Sequence, residues 1–355
     1  AASVLAPAYY LLGDRELWYA NQGIAVAVTA MSALLLYRHR ENIARLLAGT
    51  SMSAEDALHF GLIPRQHRGI FAMNELPDLD ELVQVGLFNI LEEGDVQIRG
   101  YPLRLPLDVW LVFTANPQDY TARGRIVTPL KDRIGSEIRT HYPRSLEEGA
   151  RISAQEAYVP EGVLVPEWVR LSVEAVAFVA REDRRVDQTA GVSQRLAISL
   201  LEVVAASAGR RALLHGGRPV ARPLDLYQGL PAITGKLELE YEGELQGAER
   251  VAREIVQRAF GLVLPRYRLR TEPIVAHFEE GNLLTLPEGD VEEALKAMAG
   301  VPGLLEAARA LAEGEAPEVL LSAGEFVLEG LVGRRKLSRG EATYQAAERP
   351  RSYGN

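Results

Sequence analysis

Two periodicities alternate along the first 150 positions. Apolar, β-branched runs at 24–28, 69–73, 96–99 and 109–114 predict strands. Stretches at 33–47 and 80–92 place apolar residues at helical spacing. Strands alternating with helices imply an α/β domain layered on a parallel sheet. The 109–115 run, VWLVFTA, is apolar on successive residues, as a strand covered on both faces should be. Before it, 95–106 (DVQIRGYPLRLP) reads as a hairpin turning at Gly100-Tyr101.

From about residue 151 the pattern becomes helical. Apolar residues recur at helical spacing over 167–181, 192–208 and 248–260. A segment punctuated by Pro and Gly at 271–290 precedes helical zones at 291–313 and 323–331, and the polar stretch 345–355 is expected to fray. The expected domains are an α/β core over 1–150, a helical domain over 151–270 and a C-terminal helical region over 271–355.

Charge and composition narrow the function classes. The 355 residues carry a net charge of −9, which argues against a nucleic-acid binder held by phosphate contacts. There is no cysteine, so a disulfide scaffold, a thiolate zinc site and a cysteine nucleophile are excluded. The most apolar run, 23–36 (GIAVAVTAMSALLL), is shorter than the roughly 20 residues of a spanning helix. It reads as a buried strand running into a buried helix, so no membrane association and a cytoplasmic location are expected. Lysine is rare: Lys131, Lys236, Lys296 and Lys336 are the only ones, and residues 1–130 contain none.

Four short motifs carry chemistry. In 68–77 (RGIFAMNELP) an apolar strand ends abruptly in Asn74 and Glu75, where an open parallel sheet places its ligand. A glutamate there orients and polarises an attacking water, and the polar residue beside it holds magnesium through the ion's waters. The same pair also suits a helix cap after a strand. In 112–117 (VFTANP) a second strand ends in Asn116, which would share that crevice. In 130–135 (LKDRIG) Arg133 is placed to reach a neighbouring subunit's nucleotide as a finger. In 191–195 (GVSQR) Arg195 opens a helix of the second domain and could close over a γ-phosphate. Taken singly, an arginine so placed is more often a surface ion-pair member.

Taken in order, these motifs resemble the AAA+ ATPases, and more narrowly the clade of the magnesium-chelatase ATPase subunit and the MoxR-type ATPases. The likeness spans roughly 55–260 and is specific over 65–145, including the hairpin before the second strand and the run 86–94 (GLFNILEEG). It implies an AAA+ parallel-sheet core with an inserted hairpin, followed by a helical lid. Carried over, it makes Asn74 and Glu75 the Walker B pair, with Asn74 toward the metal, Asn116 sensor 1, Arg133 the arginine finger and Arg195 sensor 2. It further implies ATP and Mg2+ as cofactors, a homo-oligomeric ring (a hexamer), and a partner bearing a von Willebrand factor A-type domain. ATP hydrolysis would then drive remodelling of a partner protein or a metal-insertion complex.

The chain departs from that pattern twice. Asn74 stands where the family has aspartate. Phosphate cradling needs G-x-x-x-x-G-K-S/T, and no lysine precedes Glu75. By position the place of that loop is 27–35 (AVTAMSALL), with Met31 and Ser32 where lysine and threonine should stand. A second stretch, 229–237 (GLPAITGKL), has the wrong spacing and no preceding strand. Two explanations stay open: a nucleotide-blind scaffold that assembles with a true ATPase, or a sequence incomplete or misread over 1–60. Intact Glu75, Asn116, Arg133 and Arg195 favour the second. The six histidines show no metal-ligand spacing, and the Glu92-Glu93 and Glu279-Glu280 pairs read as solvated faces.

Overall fold

A computed structural model describes residues 61–97, 104–116, 125–287, 289–312, 316–340 and 343–347, together with the single helical positions Ala30, Ala33, Tyr37 and Arg40. The expected strand at 24–28, most of the 33–47 helix, Met31, Ser32, the hairpin turn at Gly100-Tyr101 and the tail beyond 347 lie outside the described residues. The chain divides into two compact units, Ala1–Gly135 and Ser136–Asn355.

Among the described residues, the first unit holds two parallel strands, β1 (Ile70–Met73) and β4 (Trp110–Phe113), paired from Ile70 with Trp110 to Met73 with Phe113. Between them run α1 (Glu81–Gly86), α2 (Phe88–Glu92) and an antiparallel hairpin, β2 (Asp95–Gln97) with β3 (Arg104–Pro106). The 80–92 helix is therefore split in two. Its start is set by Asp80, whose carboxylate accepts from the Leu82 N–H at 2.8 Å. After β4 comes α3 (Thr128–Arg133).

The core of this unit gathers Leu76, Leu87 and Leu130 with Met73, Phe88 and Phe113 around them. The other sheet face was expected to be covered. Instead Ile70 is 60% and Trp110 70% exposed, with Ala72 and Val112 open beside them. A parallel pair with one open face has only half of its usual apolar burial. Continuous apolarity in a strand records suitability for burial, while the covering layer has to come from elsewhere.

The second unit is helical: α4 (Leu146–Glu156), α5 (Glu167–Glu182), α6 (Arg195–His215), α7 (Pro223–Gln228), α8 (Leu230–Thr234), α9 (Tyr241–Gln246), α10 (Ala248–Val263), α11 (Glu272–Glu279), α12 (Val291–Ala299), α13 (Leu304–Leu311) and α14 (Pro317–Gly333). A Cβ on Gly333 would lie 2.0 Å from the Gln257 carbonyl oxygen and 2.6 Å from the Gly261 nitrogen, so at this point the backbones of α10 and α14 approach too closely for any side chain. One apolar cluster joins Leu146, Val176, Leu200, Phe260, Phe278 and Phe326, and it crosses the boundary expected near 270.

The C-terminal region is not purely helical. β5 (Leu284–Thr285), β6 (Leu337–Arg339) and β7 (Thr343–Ala346) form a three-stranded sheet in the order β5-β7-β6. Gln345, expected in a fraying tail, is a strand residue paired with Ser338. The neighbouring Tyr344 is buried and donates its hydroxyl to the fully buried Glu329 at 2.7 Å, so tertiary contact orders this stretch. Among the described residues no helix is long and apolar enough to cross a membrane.

Candidate active site

The carboxyl end of the β1/β4 pair carries the first polar cluster. The ladder runs one step past the strands, with the Thr114 N–H donating to the Met73 carbonyl at 2.9 Å. Glu75 then turns the chain in the left-handed region, at φ 53° and ψ 55°. A non-glycine residue held there carries strain that its surroundings must offset. Three bonds do so. The Glu75 N–H donates to the Thr114 hydroxyl at 3.1 Å, that hydroxyl donates to the Asn74 side-chain oxygen at 3.3 Å, and the Leu76 N–H donates to the Thr114 carbonyl at 2.9 Å. Leu76 and Pro77 are buried directly behind the turn.

This arrangement leaves Glu75 exposed, and its carboxylate has no hydrogen-bond partner among the described residues. Asn116, also exposed, follows β4 at the same end of the adjacent strand. The structure thus brings Asn74, Glu75 and Asn116 to one sheet end. Thr114, which sequence reasoning passed over, is the residue that joins the two strand ends.

Arg133 is engaged elsewhere. It closes α3, its Nε donates to Glu92 Oε2 at 2.7 Å, its Nη1 donates to the Pro129 carbonyl at 2.8 Å, and its guanidinium lies 4.9 Å from the Phe88 ring centre. Glu92 is therefore an ion-pair partner and not simply a solvated acid. An arginine acting in trans would have to leave this pair.

Arg195 belongs to the second unit, where it is the exposed first residue of α6. The residue before it is clamped. Gln194 donates to both oxygens of the buried Glu174, at 2.9 and 2.7 Å, and accepts from Arg181 at 3.2 Å. Burial pushes the Glu174 carboxyl up from its ordinary value, opposed by its bonds to Gln194 and Ser153. Arg181 lies over the Tyr142 ring at 4.1 Å, and the Tyr142 hydroxyl accepts from the Val192 N–H at 3.2 Å. This polar cluster, centred on the buried Glu174, fixes where α6 starts and so where Arg195 stands.

Magnesium fits these residues poorly. A hard dication prefers charged oxygens in an octahedral shell, whereas Asn74 is a neutral amide whose oxygen already accepts from Thr114. Among the described residues no group of three His, Asp or Glu could hold a metal. A phosphate cradle is also missing among them. The stretch 229–237 begins just after α7, contains the short helix α8 and follows no strand. Met31 and Ser32 lie outside the described residues.

No family model matches the chain. It is similar over 49 residues to the glycerol-3-phosphate acyltransferases of Albidiferax ferrireducens (53% identity) and Bordetella petrii (55%), covering 14% of this chain and 22% and 23% of those proteins. The Bordetella pertussis acyltransferase is 51% identical over the same length, again 14% of this chain and 23% of the relative. The chain thus spans under a quarter of the length of these curated relatives. Among solved structures it is similar to a "putative ATPase" from Cytophaga hutchinsonii, at 19% identity and a TM-score of 0.22, over 53% of this chain and 64% of that one. A score of that size does not establish a common fold.

Proposed function

We propose that this chain is an ATPase subunit of the AAA+ type, in which Glu75 activates the attacking water. The observation that carries the reading is the strand-end cluster, where Thr114 ties Asn74 and Glu75 of one parallel strand to the neighbouring strand that leads to Asn116. Ligands of open parallel sheets bind outside the carboxyl ends of the strands. The hairpin β2-β3 just before β4 supports the narrower likeness to the magnesium-chelatase and MoxR-type ATPases. In this reading Glu75 accepts the proton of water, Asn116 orients that water, and Arg133 and Arg195 stabilise phosphate charge, Arg133 from an adjacent subunit of a homo-oligomeric ring. Remodelling of a partner, a von Willebrand factor A-type companion and a cytoplasmic setting belong to the same proposal.

The acyltransferase likeness is too short to carry an activity for this chain. Asn74 to Arg195 span far more than 49 residues, and the matched stretch covers less than a quarter of an acyltransferase. A second reading is supported by the absence of lysine in residues 1–130 and by the poor magnesium fit: a non-hydrolysing scaffold that assembles with a true ATPase.

Phosphate release and nucleotide binding separate the two. The ATPase should show magnesium-dependent turnover, and Glu75→Gln should lose at least a hundredfold in rate while still binding ATP, as loss of a general base predicts. Equal turnover in the variant would end the assignment of Glu75. No magnesium-dependent affinity for ATP in the wild-type protein would favour the scaffold.

A further inference from the structure

Helix α1 presents its side chains the wrong way round for an amphipathic surface helix. Leu82 is 82% exposed, and Val83 and Val85 are open too, whereas Gln84 is 0% exposed. Burying a glutamine is unfavourable unless its amide is fully matched. Here it is matched on three sides. Gln84 Nε2 donates to the Leu79 carbonyl at 2.9 Å and to the Arg125 carbonyl at 3.0 Å, and Oε1 accepts from the Val127 N–H at 2.9 Å.

The identity of these partners matters more than their number. Leu79 ends the turn that begins at Glu75, its N–H donating to the Leu76 carbonyl at 3.2 Å. Val127 is the residue on which α3 starts, its carbonyl accepting from the N–H groups of Leu130 and Lys131. Arg133 closes that same helix. One side chain therefore bonds the turn carrying Glu75 to the start of the helix carrying Arg133.

We propose that Gln84 is a positioning residue that couples the Glu75 turn to the Arg133 helix. The proposal rests on the ATPase reading above. In a ring, Glu75 serves the site of its own subunit and Arg133 serves the neighbour's. Displacement of one end by nucleotide is then transmitted through Gln84 to the other, and hydrolysis becomes cooperative between subunits. An apolar side chain of equal size would fill the space without transmitting anything.

The test is steady-state ATP hydrolysis by the full chain, with wild type, Gln84→Leu and Gln84→Glu compared across ATP concentration and pH. Wild type should give a Hill coefficient above one. Gln84→Leu should bring it to one and lower kcat about tenfold, the scale expected when a catalytic group is misplaced. A purely structural role would reduce the amount of active protein and leave the Hill coefficient alone. Gln84→Glu places a carboxylate against two carbonyl oxygens, so its kcat should recover as the pH falls and the acid becomes a donor. If Gln84→Leu does not fold, this pH profile decides the matter. Unchanged kcat and Hill coefficient in the variants, or non-cooperative wild-type kinetics, would overturn the coupling with the ATPase reading intact. Absence of wild-type hydrolysis would overturn both.

Discussion

The Glu75 N–H donates to the Thr114 hydroxyl at 3.1 Å, across two parallel strands whose polar ends are 39 residues apart in sequence. That bond holds a left-handed glutamate in place and passes on to Asn74 through the same hydroxyl. Thr114→Val keeps the shape of the side chain and removes both bonds. Turnover should fall about tenfold or more, with an unfolding cost of about 1–2 kcal/mol. Phosphate release paired with urea unfolding reads both. A stability loss with unchanged turnover would show that Thr114 does not place Glu75 for chemistry.

Arg133 must leave Glu92 before it can serve a neighbouring subunit. Both side chains are partly exposed, and such pairs are worth about 0–1 kcal/mol. Glu92→Gln should therefore raise turnover by up to about fivefold, while Arg133→Ala should remove it. Parallel assays of the two variants at one protein concentration test this. A loss of activity in Glu92→Gln would mean that the pair itself is the working arrangement.

Acid sensitivity of the second unit should centre on Asp183. Its buried carboxylate accepts from Arg185 at 3.0 and 2.9 Å and from Arg258 at 2.6 Å. The Arg185 bonds above all hold this carboxyl below its ordinary value, against the opposing effect of burial. A lowered folded-state pKa contributes stability that is complete above about pH 5 and lost as pH falls through the folded value. Asp183→Asn should cost about 2 kcal/mol or more at pH 7. The gap between variant and wild type in denaturant unfolding should narrow as the pH falls below the ordinary carboxylate range. A constant gap would contradict the assignment.

Tyr267 offers a stabilising change. Its ring packs edge-on to Phe326 at 5.6 Å between centroids, but its buried hydroxyl has no partner among the described residues. Burial pushes the phenol up to about 12, with the Glu167 charge adding to the effect. Tyr267→Phe removes the orphan group and keeps the ring contact. Stability should rise by about 0.5–1 kcal/mol, or a few degrees in Tm. A fall would reveal that the hydroxyl has a partner in solution.

What the chain alone determined was local. The apolar runs at 69–73 and 109–114 and the helices at 167–181 and 248–260 are visible because burial imposes a period on consecutive residues. Asn74, Glu75 and Asn116 were legible as polar residues ending apolar runs, and the parallel pair places them at one sheet end. Three other features depended on residues far apart in sequence. β7 forms because Tyr344 reaches Glu329, Arg133 is held because Glu92 lies at the end of another helix, and Thr114 matters because β1 and β4 are neighbours. Gln84 did leave a trace, as one polar residue among Leu82, Val83 and Val85, but only its bonds to Leu79, Arg125 and Val127 show it turned inward. Sequence period reports which residues favour burial. Hydrogen-bond partners are chosen by packing, and packing is decided only when the elements meet.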